Sequence, residues 1–139
     1  MNFVLDASVT LAWCFADESD EYALGVLDRL RSSEAVAASH WGLELVNAFL
    51  VAERRGRIEP GDVPRLAKFV LALPIAVDPV ARRRPVDSIH RLGRSHGLSA
   101  YDAAYLELAV RYGIPLATLD SDLRFAAEAE GVGLLAVEG

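Results

Sequence analysis

Apolar residues recur along this chain in two rhythms, and the rhythms take turns. Short buried runs read as strands at Asn2–Asp6, Ala35–Ala38, Pro74–Val77, Leu116–Leu119 and Gly133–Val137. Between them the apolar spacing lengthens to three and four residues, which predicts helices. Ser8–Phe15 is a short one. After the polar break Asp17-Glu18-Ser19-Asp20, the residues Ala23, Val26, Leu27 and Leu30 stripe a second, to about Arg31. Leu45, Ala48, Phe49 and Ala52 stripe a third, Trp41–Arg54, with Gly56 as its C-terminal cap. Val63, Leu66, Ala67, Val70 and Leu71 make a fourth, broken at Pro74. Val80–His96 reads as a fifth with Val86, Ile89, Leu92 and Gly93 inward, although Pro85 leaves its start open. Ser99–Tyr112 and Ser121–Glu130 complete the series, stopped at Gly113 and Gly131.

Strands alternating with helices imply βαβ crossovers, hence an α/β fold whose central, mainly parallel sheet has helices on both faces. The length of 139 residues fits a single domain, residues 1–139, and the hydrophobic fraction of 53% supplies a core. No apolar run reaches the ~18–20 residues that cross a bilayer. Asp6 interrupts the apolar start, and no positive segment precedes it, so a secretory signal is not expected. The expected location is cytoplasmic. Cys14 is the only cysteine and is read as a small apolar residue rather than a nucleophile.

In a parallel sheet, ligands bind beyond the carboxyl ends of the strands. Asp6 ends the first strand, and Asp120 follows the strand that starts at Leu116. Glu44 and Asp102 lie near the starts of two striped helices. Four such acids can hold Mg²⁺ or Mn²⁺, which prefer oxygen ligands. Each has a plainer reading. Asp6 and Asp120 could cap the helices that follow them. Glu44 could be a solvent-facing first-turn glutamate, and Ser99-Ala100-Tyr101-Asp102 has the form of a capping box. Ser8 and Thr118 could bond a carboxylate, or merely cap a helix and fill a strand. Asn47, three residues after Glu44 and on its face, could orient it or touch phosphate. Asp122 is a second candidate cap or a peripheral ligand.

The net charge of −6 argues against a general nucleic-acid coat protein. It does not argue against a nuclease, because bound cations reverse the field of an acidic cluster. Apart from Lys68 the basic residues are arginines, grouped at Arg54-Arg55-Arg57, Arg82-Arg83-Arg84 and Arg91/Arg94. They are either solvated helix faces or phosphate contacts beside the acids. Trp41, Tyr101 and Tyr105 could stack on bases, but their helical spacing favours core positions. None of His40, His90 and His96 is read as a catalytic base.

Taken together, Val4-Leu5-Asp6-Ala7-Ser8, Glu44-Leu45-Val46-Asn47-Ala48, Leu98 to Tyr105, and Leu116 to Asp122 resemble the PIN-domain ribonucleases, most closely the VapC toxins of toxin–antitoxin pairs. The resemblance spans essentially the whole chain, in order and spacing. It implies a three-layer α/β/α PIN-like fold with an acidic pocket. It implies that Asp6, Glu44, Asp102 and Asp120 are the catalytic, metal-binding acids, supported by Ser8, Asn47 and Thr118; Asp122 is a further candidate support. It implies endonucleolytic hydrolysis of RNA with Mg²⁺ or Mn²⁺, leaving a 5′-phosphate and a 3′-hydroxyl. A homodimer and a VapB-type antitoxin, whose C-terminal segment covers the pocket, are the implied partners. Arg82, Arg83, Arg84, Arg91 and Arg94 are the candidate RNA contacts.

A haloacid-dehalogenase-type phosphohydrolase would need a second Asp at the place of Ser8 and a catalytic lysine. A receiver domain would need a lysine after a late strand. Neither is present. The remaining alternative is a non-catalytic PIN-like module that binds RNA or protein.

Overall fold

Three of the four short strands of this sheet lie wholly in the interior. β1 (Phe3–Leu5), β2 (Ala35–Ala37) and β4 (Leu116–Ala117) are buried at every position, and β3 (Ile75–Val77) closes one edge. A computed structural model describes residues 1–137. The four strands are all parallel, in the order β3-β2-β1-β4. Val4 pairs with Val36 on one side and with Leu116 on the other.

Side chains alternate across a strand, and here the alternation sorts the helices into two layers. Phe3 and Leu5 point into a cluster with Val9 and Ala12 of α1 (Ala7–Cys14) and Ala23 and Val26 of α2 (Glu21–Arg29). Val4 points into the larger cluster on the other side. That one is built from α3 (Trp41–Arg54), α4 (Asp62–Leu71), α5 (His90–His96), α6 (Ala100–Tyr112) and α7 (Ser121–Ala129). The three-layer α/β/α fold expected from the sequence is the one observed. No helix among the described residues is long and apolar enough to cross a membrane.

Two expectations change. The helix predicted from Val80 begins at Pro85, as a π-helical turn, Pro85–Ile89, that feeds into α5. Pro85 has no N–H to give and a φ suited to a helix start, so the chain turns helical there and not earlier. The wider turn, with Ile89 N–H donating to the Arg84 carbonyl at 3.2 Å, swings Val86 out of the apolar stripe. Val86 is 74% exposed, while Ile89 and Leu92 are buried as expected.

The second change is at the C-terminal end. Gly133–Val137 forms one parallel bridge, Leu134 to Leu116, and not a full strand. Leu116 N–H donates to the Gly133 carbonyl and Leu135 N–H to the Leu116 carbonyl, both at 2.9 Å. β4 itself stops after Ala117, because Thr118 and Leu119 turn into other hydrogen bonds, so the last segment has little ladder to extend.

A charged network fastens α6 to β3 and to the π turn. Glu107, 5% exposed, accepts from Arg84 at 3.0 Å and from Arg111 at 2.9 Å. Arg111 also donates to Asp78 at 2.7 Å, and the Tyr112 hydroxyl donates to Asp78 at 2.8 Å. Burial pushes the Asp78 carboxyl up, but the Arg111 and Tyr112 bonds outweigh it and hold the group below its ordinary value. Removing one member of a buried ion network leaves the others uncompensated. Glu107→Ala is therefore expected to lower unfolding free energy by about 3 kcal/mol in urea titration. Val86→Ser, at an exposed position, is expected to stay within about 0.5 kcal/mol of wild type.

Candidate functional site

β1 lies between β2, its successor in the chain, and β4, which arrives last. The connections leave β1 and β4 in opposite directions, so a crevice opens at the carboxyl ends of these two strands. Asp6 follows β1 directly, and Thr118 and Asp120 follow β4.

Asp6 is 4% exposed and fully engaged. Its Oδ1 accepts from Ser8 Oγ at 2.7 Å and from the Val9 N–H at 3.2 Å, which makes it the N-cap of α1. Its Oδ2 accepts from the Thr118 hydroxyl. The two hydroxyls are themselves oriented from β4's end. Leu119 N–H donates to Ser8 Oγ at 2.9 Å, and Asp120 N–H donates to Thr118 Oγ1 at 3.0 Å. Asp6 thus caps α1 itself, and Ser8, for which the sequence left capping or support of a carboxylate open, supports Asp6.

Asp120 caps α7 through Oδ1, which accepts from Leu123 N–H at 2.8 Å. Asp122 therefore does not cap; it is exposed on the first turn of α7. Ser99 caps α6 by accepting from the Asp102 N–H at 3.1 Å. Glu44, in the first turn of α3, accepts at Oε1 from the Tyr105 hydroxyl at 2.6 Å.

The four acids feel one another. Burial raises the Asp102 pKa first, and the charges of Asp120 and Glu44 raise it further, against His40 and Ser99. Burial pushes Asp6 up to about 6, opposed by the Thr118, Ser8 and Val9 bonds and assisted slightly by Glu44. The cluster holds more negative charge than its own surroundings balance. An all-carboxylate donor set of this kind suits a hard divalent cation. Among the described residues, however, no three His, Cys, Asp or Glu side chains stand close enough to close on one ion. Several of the oxygens are committed to hydroxyls and N–H groups instead. The donor set still fits Mg²⁺, which keeps most of its water and takes one or two carboxylates directly.

The other sequence candidates are placed less centrally. Asn47 is exposed one turn beyond Glu44. Arg82, Arg83, Arg91 and Arg94 are exposed, with Arg83 3.6 Å from Asp87. Arg84 is half-buried against Glu107 and belongs to the network on β3. Of the aromatics, Trp41 and Tyr105 are core residues as expected, and Trp41 Nε1 donates to Thr10 Oγ1 at 3.0 Å. Tyr101 is 64% exposed.

Two residues at the site, Tyr105 and His40, are given no role there by the sequence reading. Tyr105 sits on the face of α6 that carries Asp102, three residues before it. His40 Nε2 lies 3.2 Å from Glu44 Oε1, yet misaligned, so this buried nitrogen has no hydrogen-bond partner. The signals were the i, i+3 and i, i+4 spacings from Asp102 and to Glu44.

The family model of the PIN domain matches residues 3–129. No protein of curated function matches the sequence. Among solved structures, PAE2754 from Pyrobaculum aerophilum is similar at 25% identity and a TM-score of 0.69, over 91% of this chain and 86% of that one. VapC20 from Mycobacterium tuberculosis, a sarcin–ricin loop cleaving toxin, is 18% identical with a TM-score of 0.65, over 99% of this chain and 100% of its own. FitAcB from Neisseria gonorrhoeae is 18% identical with a TM-score of 0.53, over 96% of each chain. The last two likenesses are of fold.

The buried acid has a consequence for stability. With its folded pKa raised from 3.8 to about 6, Asp6 binds its proton more tightly in the folded state, so the metal-free fold loses stability as pH rises from 4 to 6. Asp6→Asn removes that charge. Wild type is expected to lose up to about 3 kcal/mol of unfolding free energy from this group between pH 3.5 and pH 8, a dependence that Asp6→Asn should abolish, read from urea denaturation at the two pH values.

Proposed function

The chain belongs to the PIN-domain family, and from that premise we propose that it is a Mg²⁺- or Mn²⁺-dependent endoribonuclease, the toxin of a toxin–antitoxin pair. The observation that carries this reading is a set of acids around the carboxyl ends of β1 and β4 whose charges act on one another: Asp120 and Glu44 on Asp102, and Glu44 on Asp6. A site built to stabilise protein alone gains nothing from four like charges. A site built to gather cations needs them.

In this reading the carboxylates do not attack the substrate; they hold the ion. A bound divalent cation supplies an attacking water of lowered pKa and offsets charge on the leaving oxygen. Ser8 and Thr118 keep Asp6 in one orientation, which saves it the loss of rotamer freedom on each encounter. Asp120 gives one oxygen to its helix cap and has a second for ligation. Asn47, exposed near Glu44, and Asp122, exposed near Asp120, are peripheral supports. The exposed Arg82, Arg83, Arg91 and Arg94 are the candidate contacts to RNA phosphates; Arg84 is held by Glu107 and is the weakest of the five.

RNA as substrate is supported by the fold shared with a toxin that cleaves an RNA loop. A VapB-type antitoxin, a homodimer and a cytoplasmic place of action are part of the same proposal. An antitoxin arginine reaching these acids would pair with them and exclude the cation. The second reading, a module that binds RNA or protein without cutting, is favoured by one observation: among the described residues, no three His, Cys, Asp or Glu side chains already close on an ion.

Incubation of total RNA with purified, antitoxin-free protein separates the two. Discrete fragments are expected with Mg²⁺ or Mn²⁺ and none with EDTA. Asp102→Asn and Asp120→Asn should each lower the cleavage rate at least ~100-fold, since a lost ligand removes several kcal/mol of transition-state stabilisation. Intact RNA after incubation with folded wild type in both metals would leave the binding module as the better account.

A further inference from the structure

We propose that Tyr105 is a positioning residue of the acidic site, one that fixes Glu44 for ion binding without cancelling its charge. The inference rests on the metal-nuclease reading and goes beyond it by assigning a role to a core aromatic.

Tyr105 is 1% exposed, deep in the core cluster of α6. A buried tyrosine hydroxyl needs a hydrogen-bond partner, and a backbone carbonyl satisfies that need in most interiors. Here the partner is the carboxylate of Glu44, at 2.6 Å and 61 residues away in sequence. A bond to an ionised acceptor is shorter and stronger than a neutral one. The phenol proton is therefore committed to this carboxylate.

The chemistry of the donor matters. Glu44 has three rotatable bonds and is repelled by Asp102, whose own pKa its charge helps to raise. Left alone, it would swing toward solvent. An arginine or lysine could hold it in place, but would also neutralise the field that attracts a cation. A phenol restrains one oxygen and leaves the net charge of the site unchanged. His40 is the only other polar group at that oxygen shown among the described contacts. Its Nε2, 3.2 Å away, is misaligned and without a bond. Its ring instead packs edge-to-face on Tyr105, with centroids 5.1 Å apart, and braces it from the side. α6 thus contributes Asp102 directly and, one turn later, the group that aims Glu44 from α3.

The competing explanation is that Tyr105 only fills the core. A double-mutant cycle on Mn²⁺ binding, followed by electron paramagnetic resonance, distinguishes the two. Tyr105→Phe is expected to weaken Mn²⁺ binding about tenfold, the loss typical of a group that orients a ligand. It should lower kcat for RNA while leaving KM unchanged. In a Glu44→Gln background the same change should have no further effect on Mn²⁺ affinity, because the residue through which Tyr105 acts is already altered. 4-Fluorophenylalanine at position 105 fills the hydroxyl's space without donating, and should behave as Tyr105→Phe does even if the cavity left by phenylalanine impairs folding. Wild-type Mn²⁺ affinity in both position-105 variants, or an equal loss with and without Glu44, would overturn the inference and leave the nuclease reading intact. A wild-type protein that neither binds Mn²⁺ nor cleaves RNA would overturn both.

Discussion

The bond between the end of β4 and the carboxylate of Asp6 is the constraint on which the rest of the molecule turns. A buried carboxylate must be solvated by fixed dipoles, because water is absent. In this protein the dipoles come in two short chains: backbone N–H to hydroxyl to carboxylate, through Ser8 on one oxygen and Thr118 on the other. The hydroxyls have one lone pair filled by an N–H, so their protons have one direction left to point. The last paired strand is thereby registered on the first by side chains as well as by its two-residue ladder, and Asp6 is held still as a by-product of the same register.

The arrangement sets stability against function at one place. Asp6 sits at a raised pKa, Asp102 is pushed up by its neighbours, and the structure offers hydroxyls and N–H groups to these acids rather than cations. The contrast lies a few turns away. Asp78 and Glu107 are as deeply buried, yet Arg84 and Arg111 answer them with full positive charges, and Asp78 is held below its usual value. One fold therefore contains two acid groups treated in opposite ways. The group matched with arginines holds elements together. The unmatched group carries raised carboxyl pKa values, a pattern that collects at functional sites.

Much of this was legible in the residues. Hydrophobic rhythm located the seven α-helices and the four paired strands, most plainly β1, β2 and β4, where burial is complete. Asp6 and Asp120 were legible from position alone, at the ends of strands in a fold whose crevice is known to lie there. The start of α5 was not, since a π turn adds a residue per turn and shifts every later side chain on its face; Val86 looks apolar and inward in the sequence and stands in water. The final strand was overread because its partner ends early, a fact decided by where Thr118 points and not by the composition of Gly133–Val137. Tyr105 was passed over because an aromatic at helical spacing is ordinarily core. It is core, and only the position of its oxygen against Glu44, from a helix 61 residues distant, gives it a second role.

The strand order carries a consequence in time. β1 is made first, but its neighbour β4 begins at Leu116, so the sheet cannot close until most of the chain exists. Pairing across such a separation is slow relative to local structure. Until then Asp6 lacks the Thr118 hydroxyl, and the crevice lacks Asp120. The acids at the ends of β1 and β4 therefore come together only after residue 120 has docked. The topology works as a delay, written into the order of four short strands.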